Sequence, residues 1–202
     1  MNTTHQDGFT LVEMLIALAV AAILLGVGIP SFSGAIKNSQ VSSDYNGLVQ
    51  ALYLARSEAV KTSELVTVCP KKAIDSTQCG PGLNDWKYGW LVFIDMQPES
   101  SGDAADIGPE DEIILIHDEL RSENTVTAYG SSDRSRPTKT NRFFIQYNVE
   151  GKANWANGTF KLCNDKEDDL SRAINIAPTG DVRPGRPNGS ELPTDVFGDD
   201  VC

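Results

Sequence analysis

Residues 9–29, FTLVEMLIALAVAAILLGVGI, form an apolar run whose one charged side chain is Glu13. About 20 apolar residues in a helix match the thickness of a bilayer core. A helix buried in a soluble domain would normally keep a polar face, and this run has none. The stretch is too long for the apolar core of a signal peptide, and no small-x-small cleavage site follows it. The expectation is a helix that stays on the protein and is covered by lipid or by other apolar helices. A carboxylate near the centre of such a helix costs roughly 2.5–3.5 kcal/mol. Glu13 sits near the start, so its cost is lower, but a partner for its charge is still expected.

Helical spacing continues past this run. Val41, Tyr45, Leu48, Leu52, Ala55 and Ala59 recur every three or four residues and mark one face. Pro30 would kink the helix rather than end it. One helix over about residues 9–62 is therefore predicted. Short runs rich in Val, Ile, Thr and aromatic residues follow at 65–69, 88–94, 113–117, 125–129, 143–148, 159–163 and 173–177. Gly, Pro, Asp and Asn clusters separate them, as between β-strands. The predicted fold class is α+β, a long N-terminal helix packed on an antiparallel β-sheet head. Residues 97–112 and 180–200 read as surface loops, the first acidic and both rich in Pro and Gly.

Composition narrows the function. The 202 residues carry 28 acids against 17 bases, a net charge of −11. That field opposes general nucleic-acid binding, which is driven by neutralising phosphates. Cys69, Cys79, Cys163 and Cys202 contain no C-x-x-C pair, so neither a zinc site nor a redox dithiol is indicated. Three pairings are open to them. Cys69 with Cys79 and Cys163 with Cys202 are closest in sequence, and disulfides there would imply an oxidising compartment. The acids of residues 97–112 and 165–169 match no EF-hand pattern, and no cofactor or metal is expected. Of the two histidines, His5 lies ahead of the apolar run and His117 stands alone. No nucleophile elbow, P-loop or zincin pattern is present, so catalysis is not expected.

The residues around the first charge resemble a known processing site. Gly8-Phe9-Thr10-Leu11-Val12-Glu13 is similar to the prepilin peptidase site of type IV pilins and type II secretion pseudopilins. The resemblance implies cleavage between Gly8 and Phe9, with Phe9 becoming an N-methylated terminus. It also implies that Glu13 pairs with the terminal amine of a neighbouring subunit. The leader MNTTHQDG departs from the pattern in lacking Lys and Arg, which weakens the usual charge bias. Further on, the resemblance is to GspH/FimT-like minor pilins. It is carried by Leu54-Ala55-Arg56-Ser57-Glu58-Ala59-Val60, Val68-Cys69-Pro70, Trp86 with Tyr88-Gly89-Trp90, Gly158-Thr159-Phe160-Lys161-Leu162-Cys163, and Ala173-Ile174-Asn175-Ile176-Ala177-Pro178-Thr179-Gly180.

This resemblance divides the chain into a leader (1–8), the membrane or filament-core half of the helix (9–36) and a periplasmic head (37–202). It implies a single-pass inner-membrane protein that later enters a pilus or pseudopilus. The implied partners are other pilin subunits, met through the helix, and the prepilin peptidase. The cysteine-proline pattern is closer to the pilus branch than to the secretion branch.

DNA is an alternative partner. The FimT branch takes up DNA through a Gly-Arg-x-Arg motif, and here the matching positions are Gly180-Asp181-Val182-Arg183. Asp181 replaces the first arginine and would repel phosphate. Arg183 and Arg186 remain as candidate contacts, with Arg134, Arg136, Lys139 and Arg142 as a second basic strip. Trp86, Trp90 and Trp155 could stack on bases, although Trp90, inside an apolar strand, is expected in the core.

Overall fold

The computed structural model describes residues 9–80, 85–96, 106–121, 125–130, 144–154, 158–163 and 171–185; the side chains of residues 27–32, 85, 127–130, 154 and 163 lie outside that description. The chain forms two compact units, Met1–Ser39 and Gln40–Cys202. Helix α1 (Leu11–Thr62) begins in the first and ends in the second, and it runs through Pro30.

From Leu11 to Gly26, α1 is apolar on all sides but for Glu13. Every large apolar side chain from Phe9 to Leu25 is at least half exposed. In the second unit the helix becomes two-faced. Val41, Leu48, Leu52, Ala55 and Ala59 are buried as the spacing predicts, and Ala51 joins them. The three alanines remove side-chain bulk on that face, so the sheets can pack close to the helix. The helix stops at Ser63, whose left-handed φ of 60° lets its N–H donate to the Ala59 carbonyl at 3.1 Å.

The head holds two antiparallel sheets. In the five-stranded sheet the order is β3 (Glu112–His117), β2 (Trp90–Asp95), β1 (Leu65–Pro70), β5 (Ile145–Tyr147) and β6 (Ala153–Asn154). In the four-stranded sheet it is β4 (Thr125–Gly130), β7 (Gly158–Cys163), β8 (Arg172–Ile176) and β9 (Val182–Pro184). All seven predicted strands are present, and the α+β class is the observed one. Three features differ from the sequence reading. Residues 88–94 divide into a 3-10 turn, Asp85–Tyr88, and a strand that starts at Trp90. β6 is an extra two-residue strand. β9 lies inside the segment read as a loop, where Val182 pairs with Ile176 and Pro184 with Ile174. Pro184 lacks an N–H, and at the outer edge of a sheet that loss is tolerated.

One apolar core joins α1 to both sheets. Leu48, Leu52, Trp86, Trp90, Tyr147, Phe160 and Ile174 belong to it. β2 is buried at every position because both of its faces are covered. Trp90, Val92 and Ile94 face the main core; Leu91 and Phe93 face a second cluster with Cys69 and Phe144. Period two is thus kept in the packing, although the strand reads as a continuous apolar run.

Candidate functional site

Phe9 and Thr10 precede α1, and Phe9 is 84% exposed. The Glu13 N–H donates to Thr10 Oγ1 at 3.3 Å, and the Met14 N–H donates to the Thr10 carbonyl at 3.2 Å. Thr10 is therefore the N-cap, and Glu13 lies in the first turn, where a negative charge meets the positive end of the helix dipole. The Glu13 side chain is exposed, and among the described residues no ion pair reaches it. The cap was legible as Thr-x-x-Glu, a capping-box spacing that the sequence reading passed over. Gly8 lies outside the described residues.

The second feature is a junction on the head, assembled from two of the motifs above. Arg56 on α1 donates from Nη1 to Asp181 Oδ1 at 2.9 Å and from Nη2 to the Thr179 carbonyl at 3.1 Å. Thr179 Oγ1 donates to Asp181 Oδ2 at 3.0 Å, and Arg183 Nη2 lies 3.6 Å from that oxygen. The Arg56 guanidinium, then the Thr179 hydroxyl, hold the Asp181 carboxyl below the usual aspartate range. Tyr53 donates its hydroxyl to the Val182 carbonyl at 3.3 Å.

Two glycines let the backbones meet there. Gly180 has φ of +82° and Gly151 has φ of +71°, both left-handed. The Gly151 carbonyl oxygen stands where a Cβ on Gly180 would go, and Arg56 and Val60 crowd the same place at Gly151. Asn148 shapes the Gly151 turn by accepting from the N–H groups of Glu150 and Lys152 at 3.0 and 2.9 Å. The partly exposed Asp181 carboxylate is thus paired with Arg56 and lies near Arg183. Arg186, the strip Arg134, Arg136, Lys139 and Arg142, and Trp155 all lie outside the described residues.

Trp86 and Trp90 are fully buried, so neither is placed to stack on a base. Trp86 meets Phe160 edge-on at 4.7 Å, and Trp90 stacks on the His117 ring at 3.9 Å. His117 Nδ1 lies 2.8 Å from the Asp118 carbonyl, an acceptor, so this nitrogen carries the proton. Cys69 and Cys79 form a disulfide across the loop that follows β1. Lys71 and Cys79 pair as a β-bridge, and Gln78 Nε2 donates to the Ile107 carbonyl at 3.4 Å. The disulfide and these contacts hold the loop over the second apolar cluster. The Cys163 side chain and Cys202 lie outside the described residues. Among the described residues, no group of three or more His, Cys, Asp and Glu side chains could hold a metal ion.

The described chain is thus a helix whose first turns expose apolar side chains on all sides, followed by a helix-on-sheet head with an oxidised loop. The family model described as Type II transport protein GspH matches residues 44–180, and that described as Prokaryotic N-terminal methylation motif matches residues 3–29. The chain belongs to the GspH family, the GspH/FimT-like minor pilins and pseudopilins. It is 23% identical to the Type IV major fimbrial protein FimA of Dichelobacter nodosus over 154 residues, 76% of this chain and 88% of that protein. It is 52% identical to the Competence protein ComGC of Halalkalibacterium halodurans over 40 residues, 20% of this chain and 36% of that protein. Among solved structures, the type IV minor pilin FimU of Pseudomonas aeruginosa aligns with a TM-score of 0.47 at 20% identity, over 73% of this chain and 90% of that one.

This is a family of structural pilin-type subunits that meet other pilins and carry a membrane-associated N-terminal segment. Among the described residues, no helix is long and apolar enough to cross a membrane; the side chains of residues 27–32 are outside that set.

Proposed function

We propose that this chain is a minor, non-enzymatic subunit of a type IV pilus that initiates or caps the filament. The observation that carries this reading is the start of α1 within the run 9–29, whose large apolar side chains from Phe9 to Leu25 are all at least half exposed and whose one charge is Glu13. Such a surface is stable only when covered. Before assembly the cover is the inner membrane, crossed once with the head in the periplasm. After assembly it is the helices of neighbouring pilins. Prepilin peptidase cuts between Gly8 and Phe9 and the Phe9 amine is methylated. Glu13 and the amine of an adjoining subunit then satisfy each other, because either charge left alone in that core would be costly.

The test is Glu13→Ala in cells. The variant is expected to stay folded and membrane-bound but to be missing from sheared pili. Incorporation at the wild-type level would overturn the pairing.

A second reading, a minor pseudopilin of a type II secretion system, is favoured by the description of the matched family model. The physics of the helix is the same and only the partners differ. Crosslinking from the head in cells distinguishes the two: capture of pilus subunits supports the first reading and capture of secretion pseudopilins the second. DNA uptake is less well supported, since Asp181 holds Arg183 at 3.6 Å and the chain is acidic. Gel shifts with a head fragment, residues 37–202, address it. Low-salt binding lost in an Arg183→Ala, Arg186→Ala double variant would favour DNA, and no binding at low salt would remove it.

A further inference from the structure

We propose that the outer edge of β3 is a docking site for an extended strand of another polypeptide, apolar in its centre and carrying lysine or arginine at both ends. The inference does not rest on the pilus reading. β3 is the last strand of its sheet and pairs with β2 alone among the described residues. Among the described residues no strand pairs with its other side, and a row of backbone groups without a strand partner is one that an extended chain can complete and a helix cannot.

The remaining edges are poorer templates. β6 has two residues, and β9 has three and ends in Pro184. β4 is as long as β3 but carries no run of large aliphatic residues. β3 carries Ile113, Ile114, Leu115 and Ile116 in succession, with Ile116 50% exposed and the others half-buried. A register shift opposite Val92 and Phe93 inserts Ile114 as an extra residue. Docking is therefore expected along the regular part, Leu115 to His117; past it the Asp118 carbonyl meets His117 Nδ1 and the Leu120 N–H donates to the Lys87 carbonyl.

Charge selects the occupant. Glu110 and Glu112 lie at the entry of β3, and Asp118 and Glu119 at its exit. All four are exposed, and none has an ion-pair partner among the described residues. If a second copy paired here in antiparallel fashion, the entry acids of one would face the exit acids of the other. Parallel pairing would also set acid against acid. Both arrangements are repulsive, so the edge is guarded against itself. A strand with basic ends meets complementary charge at both, which also speeds encounter.

The full chain in detergent micelles tests this with a fluorescent peptide of alternating valine and threonine that has two lysines at each end. Saturable binding is expected. It should be lost when the lysines are replaced by glutamates, and it should weaken roughly tenfold in a Glu112→Lys, Glu119→Lys variant. N-methylating every second peptide amide should abolish binding in one phase and spare it in the other, because only one set of amides faces β3. The proposal fails if the lysine peptide does not bind. It also fails if both methylated phases bind equally, since charge alone would then explain the association, or if the double variant binds as the wild type does.

Discussion

Arg56 gathers segments distant from it in the chain, with Thr179 and Asp181, 123 and 125 residues away, on its two arms and Gly151 close by. Both partners of the ion pair are partly exposed, so its contribution to stability is modest, and its main effect is to seat the 177–182 turn on α1. The sign of the pH dependence follows from the lowered Asp181 pKa. The contribution is complete above the ordinary aspartate value of about 3.9 and disappears as pH falls through the lower folded value. Asp181→Asn is therefore expected to lower the Tm of the head at about pH 7, with the difference from wild type closing as pH falls through the lowered folded value. Thermal scans across that range check it, and a gap that stays constant would show that the charge is not what matters. Nearby, burial pushes the Tyr147 hydroxyl pKa upward, and that hydroxyl has no hydrogen-bond partner among the described residues. A buried, unpaired hydroxyl opposes folding, so Tyr147→Phe is expected to leave stability unchanged or raise it by up to about 1 kcal/mol. A chemical-denaturation midpoint well below wild type would mean that the hydroxyl has a partner after all.

At the scale of elements, α1 behaves as two helices in one. Its second half earns its place by packing, with Leu48, Ala51, Leu52, Ala55 and Ala59 fully buried. Leu52→Ala should cost about 2–5 kcal/mol, read as a lower denaturant midpoint with little change in slope. The Cys69–Cys79 disulfide closes a loop with a sequence separation of 10. Loop-closure entropy puts its contribution at about 3 kcal/mol, so reducing it should lower the stability of the head by that order. It should also make the second cluster of Leu91, Phe93 and Phe144 accessible to an apolar dye. Reduction with no change in midpoint would mean that the loop stays closed through its own contacts, such as Gln78 to Ile107.

At the scale of the molecule, the main core begins with Leu48 and lies wholly within the unit Gln40–Cys202. That unit carries its own stability. A fragment of residues 40–202 is expected to unfold in one cooperative step with a midpoint near that of the full chain in detergent. A large loss would show that the first unit also supports the head. In the first unit, the large apolar side chains from Phe9 to Leu25 are all at least half exposed.

Periodicity and composition by themselves determined the helix, its buried face, the seven strand runs and the apolar N-terminal run with its single acid, because each depends on neighbours a few residues apart. The same local logic contained the Thr10 cap. Other features were decided only in three dimensions. β1 sits between β2 and β5, the strands divide into two sheets, Pro184 lies on an edge strand, and the partly exposed Asp181 pairs with Arg56 across 125 residues of chain. Strand order and ion pairing join residues far apart in the chain, and a local pattern carries no information about which distant segment will satisfy a backbone edge or a charge.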